Sequence, residues 1–156
     1  MILGTKARYA VMAMVELAGR AQDKPVSLAE LAESQDITVP YLEQIFSKLK
    51  QCGLVKSMRG PGGGYVLARD ASAISIADVV LAAEESIKMT RCEKHGSGCM
   101  SSKARCLTHD LWEGLEAQIY GYLSAISLAD VRQKNTKGLS FSAMANKRDS
   151  LPPATH

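Results

Sequence analysis

Residues 27–67 read SLAELAESQDITVPYLEQIFSKLKQCGLVKSMRGPGGGYVL, and this stretch decides the fold. Ser27-Leu-Ala-Glu30 has capping-box spacing, in which serine and glutamate satisfy each other's orphan amides. It predicts a short helix with Leu28, Leu31 and Ala32 on its apolar side. A break at Gln35 and Asp36 follows, and Thr38 is placed to cap the next helix. Pro40 is tolerated in that helix's first turn. The second helix runs to about Cys52, with Leu42, Ile45, Phe46 and Leu49 on one face and Gly53 as a C-terminal cap. An ordinary helical hairpin would share this helix-turn-helix spacing. What comes next separates the two. Leu54–Met58 reads as a strand, Arg59–Gly64 as a glycine–proline turn and Tyr65–Leu67 as the returning strand. A β-hairpin directly after a helix-turn-helix is the winged-helix arrangement.

Outward from this core, Tyr9, Ala10, Ala13, Met14, Leu17 and Ala18 recur at helical spacing and predict a helix over Thr5–Arg20. Ser75-Ile-Ala-Asp78 resembles a second capping box, opening a helix to about Glu85. One long helix is expected from Leu107 to about Leu128, with Leu111, Leu115, Ile119, Tyr122, Leu123 and Ile126 as a continuous stripe. Beyond about Gln133 the period is lost and a disordered tail is expected. No internal repeat is read. The expected fold is mainly α with a small β-hairpin. Residues 1–86 form the winged helix-turn-helix, 87–106 a cysteine loop, 107–132 the long helix and 133–156 the tail.

With 156 residues and 46% apolar content, the chain can bury a core without disulfide staples. The start, MILGTKARYAVMAMVELAG, is interrupted by Lys6, Arg8 and Glu16, so no secretory signal is read. No apolar run is long enough for a membrane span, and a cytoplasmic location with reduced thiols is expected. Net charge is only +3, but Gln44–Arg69 holds five basic residues and no acidic one. A single-sign stretch of this kind suits a phosphate-facing surface.

Between that surface and the long helix lies CEKHGSGCMSSKARCLTHDLW, residues 92–112. Cys92, Cys99, Cys106 and His109 are candidate metal ligands, separated by six, six and two residues. Structural zinc more often pairs cysteines two to four residues apart. The wide spacing favours an iron–sulfur cluster spread over a loop and leaves zinc open. His95 is the rival fourth ligand. Cys52 stands apart and is read as a structural or incidental thiol.

The outward face of the second helix carries Pro40, Tyr41, Glu43, Gln44, Ser47, Lys48 and Lys50. Gln44 pairs chemically with adenine and Glu43 accepts from cytosine, while Ser47, Lys48 and Lys50 suit phosphate contact. Arg59, at the foot of the turn, suits a narrow minor groove. The partner implied is double-stranded DNA. No acid–base set is read, and GPGGG is a turn rather than G-x-G-x-x-G before a helix, so no enzyme is expected.

The segments KARYAVMAM, YLEQIFSKLKQCGLV, RGPGGGYVLARDASAISIADV and CLTHDLW resemble the winged-helix regulators around IscR, which include RirA, NsrR and CymR. The resemblance covers roughly residues 1–128. It implies a homodimeric transcriptional regulator, repressor or activator, on a pseudo-palindromic operator. By the same resemblance it controls iron–sulfur cluster biogenesis or iron homeostasis genes. It also implies one 2Fe–2S cluster per subunit on Cys92, Cys99, Cys106 and His109, DNA contacts from Tyr41, Glu43, Gln44, Ser47 and Arg59, and dimerisation through the long helix. In IscR the glutamate matching Glu43 helps distinguish two classes of DNA site. Two departures are visible: each cysteine gap is one residue longer than is familiar in IscR, and Pro40 replaces a familiar serine. The alternatives are a structural zinc site, or the 4Fe–4S cluster of RirA and NsrR sensing iron or nitric oxide. Arg8 stands where NsrR uses a ligand aspartate.

Overall fold

The Ser27–Glu30 capping box forms as its spacing demands. The backbone N–H of Ser27 donates to Glu30 Oε2 at 2.9 Å, and that of Glu30 donates to Ser27 Oγ at 3.2 Å. The computed structural model describes residues 4–20, 24–83 and 105–136. Their elements are α1 (Thr5–Gly19), α2 (Leu28–Gln35), α3 (Val39–Gln51), β1 (Val55–Met58), β2 (Gly64–Leu67), a 3-10 turn (Ala71–Ala73), α4 (Ile76–Ala83), α5 (His109–Ser124) and α6 (Leu128–Arg132). Cys92, His95, Cys99, most of the cysteine loop and the chain beyond residue 136 lie outside the described residues. Among the described residues, no helix is long and apolar enough to cross a membrane.

α2 stops because Asp36 turns left-handed (φ 54°), and the N–H of Ile37 donates back to Ala32. Thr38 takes the N-cap position of α3, but its hydroxyl makes no cap bond. Its carbonyl instead accepts from the N–H groups of Tyr41 and Leu42, both at 3.1 Å. Leu42, Ile45, Phe46 and Leu49 are fully buried, each contributing roughly 1.5–3 kcal/mol relative to exposure. At the far end Gly53 is left-handed, its N–H donating to Lys50 and that of Leu54 to Leu49. This Schellman closure drives the chain straight into β1.

β1 and β2 pair antiparallel from Val55↔Leu67 to Met58↔Gly64. The hairpin is also stitched to the segment before α2: Val26 N–H donates to the Tyr65 carbonyl at 3.0 Å, and Tyr65 N–H to Val26 at 2.9 Å. Phe46 meets the Tyr65 ring edge-on at 4.9 Å, so wing and α3 share one core.

α1 supplies Ala7, Ala10, Ala13, Met14, Leu17 and Ala18 to that core and packs chiefly on α4 and α6. On its other side Glu16 holds the helix-turn-helix. Its carboxylate accepts from Ser34 Oγ (2.6 Å), Gln35 Nε2 (2.8 Å) and Arg20 (3.1 Å). Burial pushes the Glu16 carboxyl up, but these donors outweigh it and hold the group below its ordinary value of 4.5. A lowered folded value means the stabilisation is fully present above pH 4.5 and is lost as pH falls through the folded value. Glu16→Gln is expected to lower stability at pH 7 by about 1 kcal/mol. Urea unfolding at neutral and acid pH should show the gap to wild type closing on acidification.

The single helix expected from Leu107 to about Leu128 is two helices. α5 ends at Ser124, and Ser127 opens α6 through a further capping box with Asp130. Contrary to the expectation of no repeat, a short one underlies this: Ile74-Ser-Ile-Ala-Asp78 and Ile126-Ser-Leu-Ala-Asp130. The two lie antiparallel, with Ile76 N–H donating to Ile126 (2.8 Å) and Leu128 N–H to Ile74 (3.0 Å). Ile126, expected on the α5 stripe, is buried in this junction instead. Arg132 then donates to the Ala18 carbonyl at the end of α1, at 2.9 Å. The first residues assigned to the tail close α6: Lys134 N–H donates to Val131 and Asn135 N–H to Asp130.

Candidate nucleic-acid interface and metal centre

α3 packs directly against β1 of the wing. Glu43, Gln44, Ser47 and Lys50 are exposed on the helix, and Arg59 is exposed where β1 enters the glycine turn. These are the residue types and the element that a major groove and its flanking phosphates accept. Lys48 and Tyr41 are half-buried. The Tyr41 ring packs edge-on against Tyr9 of α1 at 5.9 Å, so its body belongs to the core margin. Lys50 donates to the Ser57 hydroxyl at 2.7 Å, tying the end of α3 to the wing strand. The exposed Cys52 stands at the C-cap of α3, beside this surface.

The four metal candidates are separate in sequence from this surface. Of the four, Cys106 and His109 lie among the described residues, and Cys92 and Cys99 do not. His109 opens α5, and its N–H donates to the Cys106 carbonyl at 3.0 Å, closing the C-x-x-H turn. His109 is only 6% exposed, whereas Cys106 is half-buried. A sheltered imidazole and a thiol joined by one closed turn fit the donor set of a cluster or zinc site. The surroundings of His109 add two carboxylates to it. Glu113 Oε2 lies 3.8 Å from His109 Nε2, one helical turn on, and Asp110 completes a group whose ligand atoms all lie within 4.8 Å of one another. The i, i+4 spacing of His109 and Glu113 was a legible signal for this partner. Carboxylates beside a ligand histidine orient it and raise its basicity. Asp110 also faces Arg105 at 3.8 Å.

α5 leaves much of its apolar surface uncovered. Leu111 is 63% exposed, Tyr120 49%, Trp112 42% and Tyr122 40%, while Leu123 packs against the core.

Comparison with known proteins gives the arrangement its context. A family model described as Rrf2, iron-dependent transcriptional regulator, matches residues 3–134. The HTH-type transcriptional regulator IscR of Photorhabdus laumondii is 50% identical over 131 residues, 84% of this chain and 79% of that protein. IscR of Yersinia pestis matches to the same extent, at 50% identity over 84% of this chain and 79% of its own length. Among solved structures, IscR of T. potens superposes with a TM-score of 0.70 at 34% identity, covering 93% of this chain and 96% of its own. CymR, the global cysteine regulator of B. subtilis, gives 0.71 at 30% identity, covering 86% and 98%. The match spans the reading head and α5 alike, and the chain belongs to the Rrf2 family of iron-dependent transcriptional regulators.

Proposed function

We propose that this chain is a homodimeric regulator that reads iron–sulfur status through a 2Fe–2S cluster held by Cys92, Cys99, Cys106 and His109, one per subunit. The observation that carries the reading is the pairing of a winged helix-turn-helix with a closed Cys106–His109 turn at the root of a long, apolar, exposed helix. Relatives named IscR, at 50% identity, support it. When bound, the cluster supplies metal–ligand bonding energy that is available only when all four ligands meet.

The chain's own residues do the rest. Glu43 and Gln44 offer base-edge contacts, Ser47, Lys48 and Lys50 reach phosphates, Arg59 reaches the minor groove, and Tyr41 supports the face. Glu43 is the discriminator: its charge opposes phosphate unless a base donor meets it. A second copy covers Leu111, Trp112 and Tyr122 on α5, and two-fold symmetry then sets a pseudo-palindromic operator with half-sites about 34 Å apart. The protein acts in the cytoplasm by binding and not by catalysis, on genes of cluster assembly or iron homeostasis.

The test is metal and sulfide analysis of anaerobically purified protein. About two irons and two sulfides per chain, with visible charge-transfer absorption, are expected. Colourless protein holding zinc would contradict the reading, and about four irons per chain would replace 2Fe–2S by 4Fe–4S.

A further inference from the structure

We propose that Thr108 is a positioning residue that tunes the cluster through the sulfur of Cys106, a proposal that rests on Cys106 being a ligand. Thr108 occupies the N-cap position of α5, where a threonine hydroxyl ordinarily accepts from an amide of the first turn. Here it makes no cap bond. Its backbone lies at φ −101°, ψ 7°, away from the extended conformation usual for an N-cap. The hydroxyl Oγ1 stands instead 3.6 Å from Cys106 Sγ, within reach of a hydrogen bond to the larger sulfur atom. The turn that brings them together is held at both ends. His109 N–H donates to the Cys106 carbonyl at 3.0 Å, and Trp112 N–H to the Thr108 carbonyl at 3.3 Å.

With a free thiol, either partner can donate. A metal-bound cysteine is a thiolate with no proton, so the hydroxyl must be the donor. A donor aimed at a ligand sulfur stabilises negative charge there. One-electron reduction of a cluster adds negative charge that its sulfurs share, so the bond stabilises the reduced form more than the oxidised one. Thr108 therefore raises the midpoint potential. Because its hydroxyl caps nothing, its removal leaves the start of α5 with the same hydrogen bonds.

The experiment uses the anaerobically purified full chain as wild type, Thr108→Val, Thr108→Ala and Thr108→Ser. Iron and sulfide content, visible circular dichroism and the midpoint potential from mediated redox titration are measured. The expected result is a negative shift in Thr108→Val and Thr108→Ala, with Thr108→Ser restored to near the wild-type potential. Loss of iron from the valine and alanine variants but not the serine variant would equally support a role for the hydroxyl. A wild-type potential in Thr108→Val, or the same shift or iron loss in all three variants, would overturn the proposal. Wild-type protein free of iron and sulfide would remove the ligand reading itself and the proposal with it.

Discussion

Gly64→Ala is expected to destabilise the protein by about 2–4 kcal/mol and to unseat the wing. A Cβ at this position would fall inside contact distance of the Val26 carbonyl and 2.9 Å from Ser27 N. Those atoms are backbone and cannot swing aside as a flexible side chain would. Relief requires breaking the two Val26–Tyr65 hydrogen bonds, about 1 kcal/mol each, and shifting Tyr65 off Phe46. The damage extends to function because Ser27, next to Val26, caps α2 and so sets the entry of the helix-turn-helix. The check is urea unfolding together with DNA affinity: both should fall. Gly53→Ala is the control, since a Cβ there meets nothing within 4 Å and its cost is confined to the left-handed φ of 69°. Equal losses in the two variants would contradict the close-approach account.

Arg59→Ala is expected to weaken operator binding about ten- to a hundredfold, a loss of about 1–3 kcal/mol, without changing the unfolding midpoint. Arg59 is exposed at the edge of the turn, so its removal leaves no cavity. The discriminating readout is salt dependence against sequence. A phosphate contact would lower specific and non-specific affinity together and reduce the salt slope by about one. An arginine inserted in a narrow minor groove would lower operator affinity more than non-specific affinity. Unchanged operator affinity would remove Arg59 from the interface.

Local chemistry made most of the head legible. The Ser27–Glu30 box, the break at Asp36, Gly53 and the RGPGGG turn each act within a few residues, and each appears where the sequence places it. The misses need information from elsewhere in the chain. The apolar period runs through Ile126 and Leu128, which hid the Ser127–Asp130 capping box and made two helices read as one. Tyr41 lies on the outward side of a helical wheel, yet its length lets the ring reach Tyr9. The single bridge from Val26 to Tyr65 has no local pattern at all, though it is what requires glycine at position 64. At the candidate metal centre, spacing brought out Cys106 and His109 and also held the signal for Glu113. The turn of the Thr108 hydroxyl toward sulfur depends on backbone angles that no spacing reports.

α5 begins at the Cys106–His109 turn and ends at the Ile126–Asp130 junction, which is bonded to α4 and, through Arg132, to α1. On the proposed function, these packed elements are what join the Cys106–His109 turn to the helix-turn-helix.

The most direct test of a cluster-dependent regulator is operator affinity of the same protein, anaerobic, before and after cluster removal by a chelator. A change of roughly 5- to 150-fold at one operator class is expected, the range of ordinary allosteric coupling, with a His109→Ala variant locked near the depleted value. Identical affinity of loaded and depleted protein at every operator tested would contradict the account.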